Sequence, residues 1–398
     1  MAITASVGFS KTKDSHTAGY EACSSAVQGL QGAPDFLIAF SSVGFDQETV
    51  IRAIQEAGSG APLIGCSDAG EITNEGPNQN GVAVMAIRSD TVRFITGMGR
   101  NIRSDPREAG RQLAKDIKSR STESLRVIIM FPDVLAGNGA DIVRGAQDVM
   151  GEHFPIVGGA AGDDFLFQKT YQYRDSEIES GSVVGVGLIG SFSMGIGVRH
   201  GWVPIGPSMK VTKAKGAIVY ELDGRSAISI YEDYFGPRVE QLKREPLARM
   251  AITYPLGIKI PDLDEYLIRD PITANEDGSI TCAAEIPEGA EIRLMIGSKE
   301  KAVEAAQDAA RKLMKEFEID KTKPKFLLMF NCIAREKLFG LRARDEIDAV
   351  LEIIGKEVPL LGFYTYGEQA PTGGETRNQS KIFSRFYNET IVLFAVGE

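Results

Sequence analysis

Asn331, Cys332 and Arg335 fall within one short stretch of the chain, and Tyr364, Tyr366 and Glu368 fall within another. An arginine can grip a carboxylate through two parallel N–H···O bonds. An acid such as Glu368 can hold an ammonium group. Tyrosines present polar tips on apolar bodies, a common lining for small-molecule pockets. If Arg335 takes a carboxylate while Glu368 takes an amine, the set recognises a zwitterion. The competing expectation is a structural ion pair between Arg335 and Glu368. Cys332 needs a lowered pKa and solvent access before it can react, and Arg335 is placed to help lower it. A lone cysteine is more often a small buried apolar residue. The same holds for Cys66, so neither is expected to be a nucleophile.

Glu368 closes a pattern that occurs three times: Pro62-Leu63-Ile64-Gly65 before Gly70-Glu71, Pro155-Ile156-Val157-Gly158 before Gly162-Asp163, and Pro359-Leu360-Leu361-Gly362 before Gly367-Glu368. A repeat of this kind sets the fold and is sought before other motifs. It puts three acids, Glu71, Asp163 and Glu368, at equivalent positions of three similar units. Glycine there permits positive φ and close backbone approach, and the acid can bond its own turn. The pattern therefore reads first as architecture. Cys66, Glu71 and Asp163 are secondary ligand candidates, and the third copy is the one that gathers tyrosines.

The elements that must position these residues recur with the pattern. Upstream of each copy lies a continuous apolar run, residues 36–40, 127–131 and 326–330, as expected of a buried strand. Helical spacing follows over residues 46–57, 141–150 and 345–354, each with an acid near its start. Before each run comes a strand and a helix: 5–9 then 15–30, 93–98 then 107–118, and 292–296 then 299–317. After each copy comes a further strand, at 82–87, 183–189 and 391–396. The fold class is α/β: mixed β-sheets with flanking helices, built from repeated β-α-β-α-β-β units. Residues 211–286 break this rhythm with strand and turn signals such as Asp223-Gly224 and Asp277-Gly278, and a helix is expected within 231–250. Two halves, 1–215 and 216–398, follow. Gly185-Val186-Gly187-Leu188-Ile189-Gly190 fits a dinucleotide fingerprint in letters only, because no helix opens at its glycines.

Bulk properties narrow the function classes. The net charge is -10, which argues against nucleic-acid and anionic-membrane partners, since phosphate surfaces recruit basic patches. No apolar run reaches the roughly 18 residues of a membrane helix, and the N-terminus lacks the features of a signal peptide. The four cysteines show no CxxC spacing, so neither a disulfide framework nor a zinc ribbon is indicated. A cytoplasmic location without membrane insertion is the expectation.

Taken together the motifs resemble the FIST family, FIST N followed by FIST C. The N-terminal similarity runs through both early copies of the repeat. The C-terminal similarity runs through Val219-Tyr220-Glu221-Leu222-Asp223-Gly224-Arg225, Tyr254-Pro255-Leu256-Gly257, Asn331-Cys332-Ile333-Ala334-Arg335, the third copy, and Asn388-Glu389-Thr390. The resemblance implies a sensory role with a small, amino-acid-like ligand, and adds Asp223 and Arg225 as secondary candidates. It also implies a signalling partner such as a histidine kinase or a cyclic-dinucleotide enzyme. The chain ends at Glu398 directly after its last strand, so the signal is expected to pass to another polypeptide. No cofactor is required. Some relatives are haem-binding nitric-oxide sensors, and His200 would be the axial residue here if haem is bound. His16, His153 and His200 form no metal-ligand spacing. A hydrolase or transferase using the third-unit residues is the remaining alternative, although no base, nucleophile and orienting group assemble from the sequence.

Overall fold

Residues 3–30, 32–236, 248–260 and 265–398 are described in the computed structural model. The three repeat units each build a six-stranded sheet. In the first unit the order is Ile3–Ser10, Val82–Ser89, Phe36–Ser41, Leu63–Ser67. Phe36–Ser41 and Leu63–Ser67 are parallel, and the other pairs are antiparallel. Every residue of Phe36–Ser41 is buried, which is why this strand reads as unbroken apolar sequence rather than as an alternation. Helices Ser15–Gln28 and Gln47–Ala57 start at Asp14 and Asp46, whose carboxylates accept the Thr17 and Thr49 N–H groups. The mixed α/β class and the repeat are as the sequence indicates.

The sheets are finished by exchange. The hairpin after each motif leaves its own unit and completes another unit's sheet. Gln172–Arg174 of the second unit pairs with Leu63–Ser67 of the first. Glu368–Pro371 of the third pairs with Ile156–Gly159 of the second. Glu71–Thr73 of the first pairs with Leu360–Thr365 of the third. The exchange is cyclic, so the three units surround a common axis. Phe40, Phe131 and Phe330, at matching positions of the three central strands, fill it together with Phe363. All four are fully buried, and their ring centroids lie 4.3 to 5.9 Å apart in tilted and edge-on pairs. The axis is a packed core and not a channel.

One expected element is reassigned. The third unit's first strand is Ser193–Arg199, which pairs along its whole length with Ile391–Gly397. The expected strand at 292–296 instead belongs to an inserted antiparallel sheet, where Glu291–Ile296 pairs with Val203–Lys215 and Leu256–Lys259. The chain thus leaves the third unit after one strand, builds the insert, and returns at helix Lys299–Asp320, capped by Ser298. Gly197 explains the placement: a Cβ there would lie 2.1 Å from the Ala309 carbonyl of that helix. Gly99 has the same relation to Ala109 in the second unit, at 1.9 Å. Glycines in the first strand let the covering helix come close. The helix expected within 231–250 is seen as Ser229–Phe235 and Ala248–Ala251, and residues 237–247 lie outside the described residues.

Candidate functional site

Arg335 sits on the short helix Ile333–Phe339 and is fully buried. Its Nε donates to Glu346 at 2.9 Å, Nη2 to Glu346 and to the Ala302 carbonyl, and Nη1 to the His200 and Glu389 carbonyls. Asn331 Nδ2 donates to the other Glu346 oxygen at 2.7 Å. Every guanidinium N–H is thereby used. Glu368 is not among the partners, so neither the Arg335–Glu368 clamp nor the Arg335–Glu368 ion pair forms. Glu346 projects from the inner face of helix Ala343–Ile354 and reaches the arginine first.

Glu368 lies elsewhere in the same unit. It accepts from the Thr365 hydroxyl and from the Thr390 N–H, and burial holds its carboxyl well above the usual range. Cys332 is buried beside it, and burial followed by the charges of Glu368 and Asp270 pushes its thiol up. Cys66 is buried and its thiol is raised by burial as well. Native protein is therefore expected to show no fast-reacting thiol toward a disulfide reagent, with all four appearing on denaturation, because every cysteine is buried. Rapid labelling of Cys332 in the folded state would contradict this reading.

The three acids of the repeat are not equivalent. Glu71 lies opposite Phe363 and Glu368 lies opposite Gly159. The residue opposite Cys66, the matching position in the first unit, is Gln172. Asp163 precedes it by a loop that the other units lack. There its carboxylate accepts the Phe167 and Lys169 N–H groups at 2.8 and 2.9 Å and the Tyr366 hydroxyl. Phe167 stacks on Tyr366 at 4.6 Å. Tyr364 is buried with its hydroxyl unpartnered. Asp223 and Arg225 are exposed on the insert, where Asp223 accepts the Lys210 N–H and Arg225 pairs with Asp233. The structure therefore unites Tyr366 with Asp163 and Cys332 with Glu368, and keeps Arg335 with Asn331 apart on Glu346.

The ligand-sized feature of this region is a cleft of about 420 Å³ between the inserted sheet and the third unit, lined by Arg199, His200, Tyr266, Leu267, Lys312, Thr372, Arg385, Tyr387 and Thr390 among others. His200 Nδ1 accepts the Trp202 N–H at 2.9 Å, so the ring proton of the neutral form is on Nε2. That nitrogen has no hydrogen-bond partner of good geometry, although the Tyr266 carbonyl is near enough to favour the protonated ring slightly. Burial, then the charges of Arg335 and Arg199, lower His200 to about 3, so it stays neutral. Arg385 Nε is likewise buried and unpartnered, with the guanidinium 4.4 Å from the Phe383 ring. Arg199 is engaged with Glu265 at 3.5 Å.

Directly behind the cleft wall, Glu389 adopts a left-handed φ of 55° and neither of its carboxylate oxygens finds a donor. Asp270 of the insert faces it. Burial raises Asp270 to about 6 and raises Glu389 further, the charge of Asp270 adding to the effect. A proton held between the two carboxyls is the donor both lack.

Haem does not fit this donor set. Iron needs a bare imidazole nitrogen, and the only outward nitrogen of His200 carries its proton because Nδ1 is held by Trp202. Arg199, Lys312, Arg385 and Asp270 were not singled out by the sequence, and Glu389 was named only within the Asn388-Glu389-Thr390 motif, with no role assigned. Arg385 lies on a hairpin with no periodic signature, and a role for Glu389 could be read only once its left-handed turn was known.

A thrice-repeated α/β scaffold thus carries a cleft of ligand size against an inserted sheet. The chain belongs to the FIST family: the FIST N domain matches residues 35–225 and the FIST C domain residues 227–371. It is 26% identical over 391 residues to an uncharacterized protein of Mycobacterium tuberculosis, covering 92% of this chain and 95% of that one. It is 25% identical over 369 residues to an uncharacterized protein of Methanocaldococcus jannaschii, covering 84% and 68%. Among solved structures, a chorismatase (11% identity, TM-score 0.35, full coverage of both chains) and a cyanuric acid hydrolase from A. caulinodans (7%, 0.37, 99% of both) are similar. At that level no function transfers. No described helix is long and apolar enough to cross a membrane.

Proposed function

We propose that this FIST protein is a sensor whose ligand, a small polar molecule of amino-acid type, occupies the cleft between the insert and the third unit. The observation that carries the reading is the buried, unpartnered Arg385 Nε–H, beside a neutral His200 whose Nε2–H has only the poorly aligned Tyr266 carbonyl near it. Neither has a well-aligned acceptor, which a ligand carboxylate would supply, and an unmatched buried donor is costly. The apolar walls at Ile260 and Leu267 suit a small side chain. A ligand touching Tyr266 on one side and Arg385 on the other favours one placement of the insert, and a separate signalling partner reads that shift in population.

Thermal-shift screening of the full chain against amino acids and related carboxylates is expected to give stabilisation by at least one. Arg385→Ala should then weaken that ligand about tenfold to hundredfold, as for a lost hydrogen bond to a charged group. His200→Ala should weaken it less, since the imidazole is neutral. Stabilisation that survives both substitutions places the ligand elsewhere.

A further inference from the structure

The cleft just described has a counterpart in the second unit. Gly99 opposes Val183 there as Arg199 opposes Ile391 in the third unit, and the next residues are Arg100 and His200. Gln172 pairs with Glu179 as Glu368 pairs with Tyr387. Ser182 accepts the Asp133 N–H at 3.0 Å as Thr390 accepts the Cys332 N–H at 3.1 Å. Arg100, Glu179 and Ser182 line one cleft, and His200, Tyr387 and Thr390 line the other. The internal symmetry therefore brings two clefts to equivalent places.

The second unit's cleft is about 550 Å³ and is lined by different chemistry. Its acids are already committed. Asp133 accepts the Leu135, Ala136 and Gly181 N–H groups at 3.0, 3.2 and 2.9 Å. Glu179 accepts from Arg100 Nε at 3.3 Å, and the same arginine holds Glu177. Two cations on its wall have no carboxylate partner among the described residues: Arg103, and Lys169, whose Nζ lies 4.6 Å from the Tyr171 ring centroid. Ser104 and Ser180 add hydroxyl donors at the same wall. In a chain of net charge -10, two uncompensated cations facing one cavity concentrate small anions there.

We propose that this cleft is a second ligand site, taking a small dianion, either a phosphoryl group or a short dicarboxylate. Arg103 and Lys169 neutralise its two charges, and the serines orient it. The site is separate from the sensory cleft and does not depend on the identity of the ligand bound there.

The test uses the full chain carrying Arg385→Ala, which removes the other cleft's principal cation. Inorganic phosphate and malonate are titrated calorimetrically at fixed ionic strength, with chloride as the control. Either dianion is expected to bind at least tenfold more tightly than chloride. Adding Arg103→Ala and Lys169→Ala should abolish that binding while the ligand-free melting temperature is kept, since both side chains are exposed. Binding of phosphate alone identifies a phosphoryl ligand, and of malonate alone a dicarboxylate. Failure of both dianions to outbind chloride overturns the proposal, as does binding that persists in the triple variant. Neither result bears on the amino-acid screen, which reads the other cleft.

Discussion

Arg335→Leu is expected to destabilise the protein by roughly 3–5 kcal/mol, the usual effect of breaking a buried ion pair from one side. The substitution strands the Glu346 carboxylate, which is 1% exposed, and leaves three backbone carbonyls without their donor. Trp202 also loses the guanidinium lying 5.4 Å from its ring. Replacing both partners, Arg335→Leu with Glu346→Leu, should recover part of the loss, because no uncompensated charge then remains. Thermal melts of the three proteins separate the possibilities. If Arg335→Leu melts within a degree or two of the parent while ligand binding disappears, the arginine serves the ligand and not the fold.

Glu71→Gln is expected to stabilise the protein above neutral pH, by about 3 kcal/mol at pH 8. Burial raises the Glu71 carboxyl to about 7, whereas the unfolded chain titrates near the ordinary glutamate value of about 4.3. Between those values the folded protein holds a proton that the unfolded one has released. Stability is thus highest below the unfolded pKa and declines as pH rises through the folded one. Glutamine cannot ionise, so the variant's melting temperature should vary less between pH 5 and 8. The fold already accepts glutamine at this position: Gln172 is its counterpart in the second unit, bonded to Thr170 and Ser182. Asp68, Asp270, Glu368 and Glu389 are raised in the same direction, so some slope should remain. A variant less stable than the parent at pH 8 would show that the Glu71 charge is compensated in the folded state.

The repeat was legible because buried strands leave a mark that survives in one dimension. Residues 36–40, 127–131 and 326–330 are apolar throughout since both faces are covered, and the observed strands contain them. The first strand of the third unit was not legible, because the insert separates it from its helix. The glycines of Ser193–Arg199 carried that information, yet they mean helix contact only once the helix at 299 is known to lie over them. The exchange of hairpins left no trace at all, since a strand's sequence does not say which sheet it joins. The acid pattern misled at Asp163, where a short loop moved the equivalent position to Gln172.

The candidate site divides in the same way. The sequence by itself determined the family, the α/β class and the threefold repetition, and pointed to the third copy as the one that gathers tyrosines. These follow from residue types at fixed spacing along the chain. Only the tertiary structure decided which charges meet. Arg335 and Glu368 are close in sequence terms, but Arg335 is bound to Glu346. Arg385 and His200 share a cleft although 185 positions separate them. Pairing depends on which side chain arrives within about 3 Å with its donors aligned, and that distance is set by the packing of helices and sheets around the common axis.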